Sequence, residues 1–94
     1  MDTNAYWYVG GKWVHPQDAV ISINDMAVLR GYSAFESLRT YDRRPFHLEE
    51  HLKRLYRSAA LIELAIPWPA SFIADVISET IARNSYKHAS LRLL

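Results

Sequence analysis

The sequence predicts an α+β domain, a small antiparallel sheet with two main helices packed on it, and three observations lead there. Short aromatic and branched runs stand at both ends of the chain, YWYV and KWVH around Gly10-Gly11 and ASLRLL at residues 89–94. Between them SAFESLRTY alternates with a period of two. From Leu48 the apolar period changes to three and four and stays so through most of the remaining chain.

Each element follows in order. Residues 6–9 read as a strand, Gly10-Gly11 as a two-residue hairpin turn, and KWVH as the returning strand, which Pro16 ends. AVISI at 19–23 is a further strand candidate, closed by Asn24-Asp25. MAVLRG at 26–31 reads as a helical turn stopped by Gly31. In the strand 33–41, Ala34, Glu36, Leu38 and Thr40 face one way, so Glu36 shares a face with Leu38, an unusual place for an exposed carboxylate. DRRP is a turn and Phe46-His47 a very short strand. Leu48, Leu52, Leu55, Ala59 and Ile62 make 48–64 an amphipathic helix. IPWPA is a loop, and Ser71 is the expected N-cap of a second helix whose buried side is Phe72, Ile73, Val76, Ile77 and Ile81. Asn84-Ser85 ends it, and 89–94 is the last strand.

At 94 residues the chain is one domain at most, and half of it is hydrophobic. A formal net charge of +1 argues against a dedicated nucleic-acid binder. The basic residues are mostly arginine, eight against three lysines, which suits fixed contacts to carboxylate or phosphate. Without cysteine there is no disulfide, thiolate metal site or thiol nucleophile. No basic and apolar leader opens the chain, and no apolar run approaches the roughly 20 residues that span a bilayer. A soluble cytoplasmic domain is expected. A buried final strand with nothing after Leu94 suggests the first part of a longer protein, or a piece cut at a domain edge.

The candidate chemistry sits in RGYSAFESLRTYDRRPFHLEEHLKRL, residues 30–55. Arg54 stands one turn after Glu50, so it reads either as half of an exposed helical ion pair or as a planar grip for an anion. His47 and His51 have zinc-compatible spacing, but no third ligand follows in metalloprotease fashion, and no metal site is expected. Arg39 and Arg92 lie in strands with apolar neighbours, where a buried charge needs a partner. That partner is either internal, with Glu36 as the candidate, or a substrate carboxylate in a cavity. No nucleophile-elbow or phosphate-cradling glycine motif is present.

RGYSAFESLRTY resembles the G-x-x-F-E-x-x-R-x-Y core of the class IV, or fold-type IV, pyridoxal-phosphate aminotransferases, and FHLEEHLKRLYRSA resembles their F-x-L-x-x-H-x-x-R-L-x-x-S-A helix. That family includes branched-chain and D-amino-acid aminotransferases and aminodeoxychorismate lyase. The resemblance implies that residues 1–94 are its N-terminal small domain and that pyridoxal 5'-phosphate is the cofactor. Arg54 matches the arginine that grips the cofactor phosphate. Phe35 and Arg92 match pocket positions, Arg92 as a partner for the substrate carboxylate. Glu36 and Arg39 match positions that are structural or at the pocket edge. Arg30 and Ser90 stand where branched-chain members tend to carry tyrosine, which tilts the expectation towards D-amino-acid or lyase-like substrates.

The family's Schiff-base lysine lies in a second, larger domain, and Lys12, Lys53 and Lys87 match no such role. No catalytic residue is therefore expected in this chain, and alone it is expected to be inactive. The intact protein is expected to be a homodimer that exchanges an amino group between an amino acid and a 2-oxo acid. The rivals are elimination of pyruvate from aminodeoxychorismate, and a non-enzymatic binding or assembly module if the natural chain stops at Leu94.

Overall fold

Adjacent glycines, both with positive φ (60° at Gly10, 79° at Gly11), fold the N-terminal end of the chain into a tight hairpin. The computed structural model describes residues 4–94. The turn joins β1 (Trp7–Val9) to β2 (Lys12–Val14), with Trp7 opposite Val14 and Val9 opposite Lys12. A one-turn 3-10 helix, Pro16–Asp18, follows. Next comes α1 (Met26–Arg30), capped by Asp25, whose Oδ1 accepts from the Ala27 N–H at 2.9 Å, and closed by left-handed Gly31.

The second sheet has the order β4-β3-β5 and is antiparallel throughout. Its strands are β3 (Glu36–Tyr41), β4 (Arg44–Pro45) and β5 (Ala89–Leu93). Alternation along β3 is strict: Glu36, Leu38 and Thr40 are buried, while Ser37, Arg39 and Tyr41 are exposed. The buried Thr40 hydroxyl is satisfied, since its Oγ1 accepts from the Ala89 N–H at 2.9 Å. Two 14-residue helices, α2 (Leu48–Leu61) and α3 (Ala70–Arg83), complete the fold. Leu38, Leu52 and Ile77 form the centre of the core, with Leu48, Ile73, Ile81, Leu91 and Leu93 packed around them. The α+β expectation and the helical apolar faces are borne out.

Several elements differ from the sequence expectation. AVISI at 19–23 forms no strand; Val20, Ile21 and Ile23 are 73, 61 and 77% exposed. Branched residues favour extended backbone, but a strand needs a paired neighbour, and none of the described strands adjoins this run. The central strand begins at Glu36 rather than Ser33, where its pairing with β5 begins. The short strand is Arg44–Pro45 rather than Phe46-His47, because His47 turns into the left-handed region (φ 54°) to swing the chain into α2. That helix ends at Leu61 rather than at residue 64, and Glu63 takes a positive φ. Its successor starts before Ser71: the Pro69 carbonyl accepts from the Phe72 N–H, making Pro69 the N-cap. The expected single sheet is two, one of two strands and one of three.

Candidate functional site

The start of β3 lies against α2, and there the sequence puts an acid where the alternation demands an inward side chain. Glu36 is 4% exposed. A carboxylate so placed must be matched by donors, because an unpaired buried charge is costly. Four donors meet it. Arg54 donates in parallel, Nε to Oε2 at 2.7 Å and Nη2 to Oε1 at 2.6 Å. The His51 ring places Nδ1 3.0 Å from Oε1, and the Ser37 N–H reaches Oε1 at 3.2 Å. His51 and Arg54 stand one turn apart on α2, so a single helical face presents both. The Arg54 guanidinium foremost, then His51 and the Ser37 N–H, lower the Glu36 carboxyl from 4.5 to about 2, against the opposing pull of burial. Since the carboxylate is ionised, Nδ1 of His51 is the protonated nitrogen.

Glu36 therefore holds Arg54, rather than Glu50 on the same helix holding it or Glu36 pairing with Arg39 on its own strand. Within this network the arginine remains open: its side chain is 61% exposed, and no bond among the described residues occupies Nη1. The donor set left over is the outer edge of a planar guanidinium, which fits phosphate oxygens. By this test the chain has one residue suited to holding the phosphate of a cofactor.

The other expected site residues lie elsewhere. Arg39 and Arg92 are on the opposite, solvent face of the β3–β5 sheet, where Arg92 stands across from Ser37 and Arg39 across from Ser90. Arg39 donates from Nη1 to Ser90 Oγ at 3.1 Å and lies 5.9 Å from the Tyr41 ring centre. Phe35, just before β3, is 64% exposed. Arg30 ends α1. Neither Arg30 nor Arg92 has an ion pair or side-chain hydrogen bond among the described residues. The five residues thus divide between two faces of one sheet and the end of α1. His47 and His51 separate as well: His47 lies 3.7 Å from Glu50, and His51 turns to Glu36. Sequence reasoning missed the His51–Glu36 contact, although the inward parity of Glu36 signals a need for a cation or donor.

A sheet with an acid-anchored arginine on its covering helix defines a class of domain, and likeness to known proteins gives that class its family. The model of the class IV amino-transferase family matches residues 33–94, and the chain belongs to that family. A protein of Methanocaldococcus jannaschii named as a branched-chain-amino-acid aminotransferase is 39% identical over 87 residues, covering 93% of this chain and 30% of that protein. The D-alanine aminotransferase of Listeria monocytogenes is 31% identical over 90% of this chain and 29% of its own length. The aminodeoxychorismate lyase of Bacillus subtilis is 34% identical over 92% and 29%. Among solved structures, the branched-chain aminotransferase of Thermoproteus uzoniensis with norvaline superposes at a TM-score of 0.85, with 27% identity over 94% of this chain and 31% of that one. A bacterial branched-chain amino acid aminotransferase solved with pyridoxamine 5'-phosphate gives the same score, with 31% identity over 95% of this chain and 30% of that one. The chain spans about 30% of the length of these relatives.

Proposed function

We propose that these residues are the N-terminal domain of a pyridoxal-phosphate aminotransferase that moves an amino group between an amino acid, branched-chain or D, and a 2-oxo acid. The carrying observation is Arg54, anchored on one edge by Glu36 and open on the other. Pyridoxal phosphate, when bound, supplies the carbonyl carbon that receives the amino group and a ring that withdraws electrons from the substrate. This chain contributes the phosphate contact through Arg54. Its pocket wall is Phe35, Arg30, Arg92 and Arg39, with Arg92 directed to a carboxylate. The lysine that bonds to the cofactor belongs to a second domain, so the isolated 94 residues are inactive. The intact protein works as a cytoplasmic homodimer; no described helix is long and apolar enough to cross a membrane.

The first test is a visible spectrum of the protein purified from the natural full-length gene, before and after borohydride. A cofactor band that reduction abolishes supports the reading; no band, from a gene that stops at Leu94, replaces it with a non-enzymatic module. In the intact protein Arg54→Ala is expected to weaken cofactor binding by about 1.5 to 3 kcal/mol, a tenfold loss or more. Unchanged affinity removes Arg54 from the phosphate. Arg92→Ala is expected to raise KM about tenfold for acidic substrates and little for apolar ones. An equal rise for both makes Arg92 structural. Elimination of pyruvate from aminodeoxychorismate is the second reading, supported by the lyase relative and by Arg30 and Ser90 in place of tyrosine. Release of pyruvate without any amino acceptor would put it first.

A further inference from the structure

We infer that Glu36 is a positioning residue that sets Arg54 in its phosphate-binding orientation before the phosphate arrives; this rests on the reading of Arg54 given above. The cluster has a buried root and an open edge. Glu36 is 4% exposed, and Arg54 is 61% exposed in its side chain. Both carboxylate oxygens are committed, Oε2 to Arg54 Nε and Oε1 to Arg54 Nη2, His51 Nδ1 and the Ser37 N–H. The carboxylate therefore cannot turn. The parallel pair through Nε and Nη2 fixes the plane of the guanidinium and leaves Nη1 as the unoccupied edge.

An arginine on an exposed helix face otherwise samples many rotamers, and a ligand that fixes it must overcome that freedom. Here the freedom is already gone before binding. The carboxylate also opposes phosphate, as a negative charge behind the guanidinium. That repulsion is the weaker effect, because the cation lies between the two anions and its outer edge is in water. Orientation should therefore outweigh repulsion, and removing Glu36 should weaken phosphate binding.

A merely structural ion pair between α2 and β3 makes a different prediction: lower thermal stability, with no change in the preference for a phosphorylated ligand. The intact protein, stripped of cofactor, is titrated calorimetrically with pyridoxamine 5'-phosphate and with pyridoxamine. The variants are Glu36→Gln, Arg54→Ala and the double substitution. Glu36→Gln is expected to weaken the phosphorylated ligand about tenfold and leave pyridoxamine unchanged. In the Arg54→Ala background it should change neither. A ratio of the two affinities that is unchanged or increased in Glu36→Gln overturns the positioning role alone. A ratio unchanged in Arg54→Ala removes the phosphate reading itself, and this inference with it. One measurement needs no variant. The order parameter of the Arg54 Nε–H bond in the cofactor-free protein should be ~0.85, and a value below about 0.6 overturns the pre-set orientation.

Discussion

At the scale of residues, Glu36 carries the most physical information in the chain. Its inward parity was legible from the alternation of SAFESLRTY, and so was the need for a partner. The partner's identity was not, because Arg54 lies 18 positions away and two nearer cations, Arg39 and Arg44, competed for the assignment. Parity settles the first: Arg39 points to the other face of the sheet. The network has a pH signature. Arg54, His51 and Ser37 hold the folded-state carboxyl at about 2, below its ordinary 4.5. A depressed acid stabilises the fold above its unfolded value, and that contribution fades as pH falls through the folded one. Acid unfolding should therefore lose this contribution between about 4.5 and 2. In Glu36→Gln, melting temperature should be lower at neutral pH and should fall less than wild type across that window. Equal falls would mean that Glu36 keeps an ordinary affinity for protons.

At the scale of elements, the two long helices and the outer hairpin were legible because each announces itself within about fifteen residues, the span over which a period can be counted. The buried stripe of α2 runs through Leu52, Leu55 and Ala59, as that period requires. Helix ends were less legible, since distant groups fix them. The C-terminus of α3 is the clearest case. Arg43, in the β3–β4 turn, donates from Nη2 to the Ile81 carbonyl at 2.7 Å and from Nη1 to the Asn84 carbonyl at 2.7 Å. Asn84 then ties the same end to the residue that precedes the hairpin: its Nδ2 donates to the Tyr6 carbonyl and its Oδ1 accepts from the Tyr6 N–H, both at 2.9 Å. No local pattern reveals such contacts, because their partners are 38, 41 and 78 positions apart in sequence. The same holds for the missing strand at 19–23. Its composition is that of an extended, apolar segment, but pairing is decided by elements far from it in sequence.

At the scale of the whole molecule, that unpaired run is the largest departure from what a self-sufficient domain shows. Val20, Ile21, Ile23, Val28, Leu29 and Phe35 are all at least half exposed. An apolar surface of this kind marks an interaction site. Arg30, a proposed pocket residue, belongs to the same segment. The proposed homodimer accounts for both facts if this segment is the face that meets the second copy, since a pocket built from both copies needs its contributors at the junction. Leu29→Asp sets an uncompensated charge into that contact, at an exposed position where the isolated fold loses no buried side chain. In the intact protein at micromolar concentration, sedimentation should show a dimer for wild type and a monomer for Leu29→Asp, with unchanged helix content by circular dichroism. A variant that stays dimeric would put this surface against the remainder of its own polypeptide instead, and a monomeric wild type would end the two-copy pocket altogether.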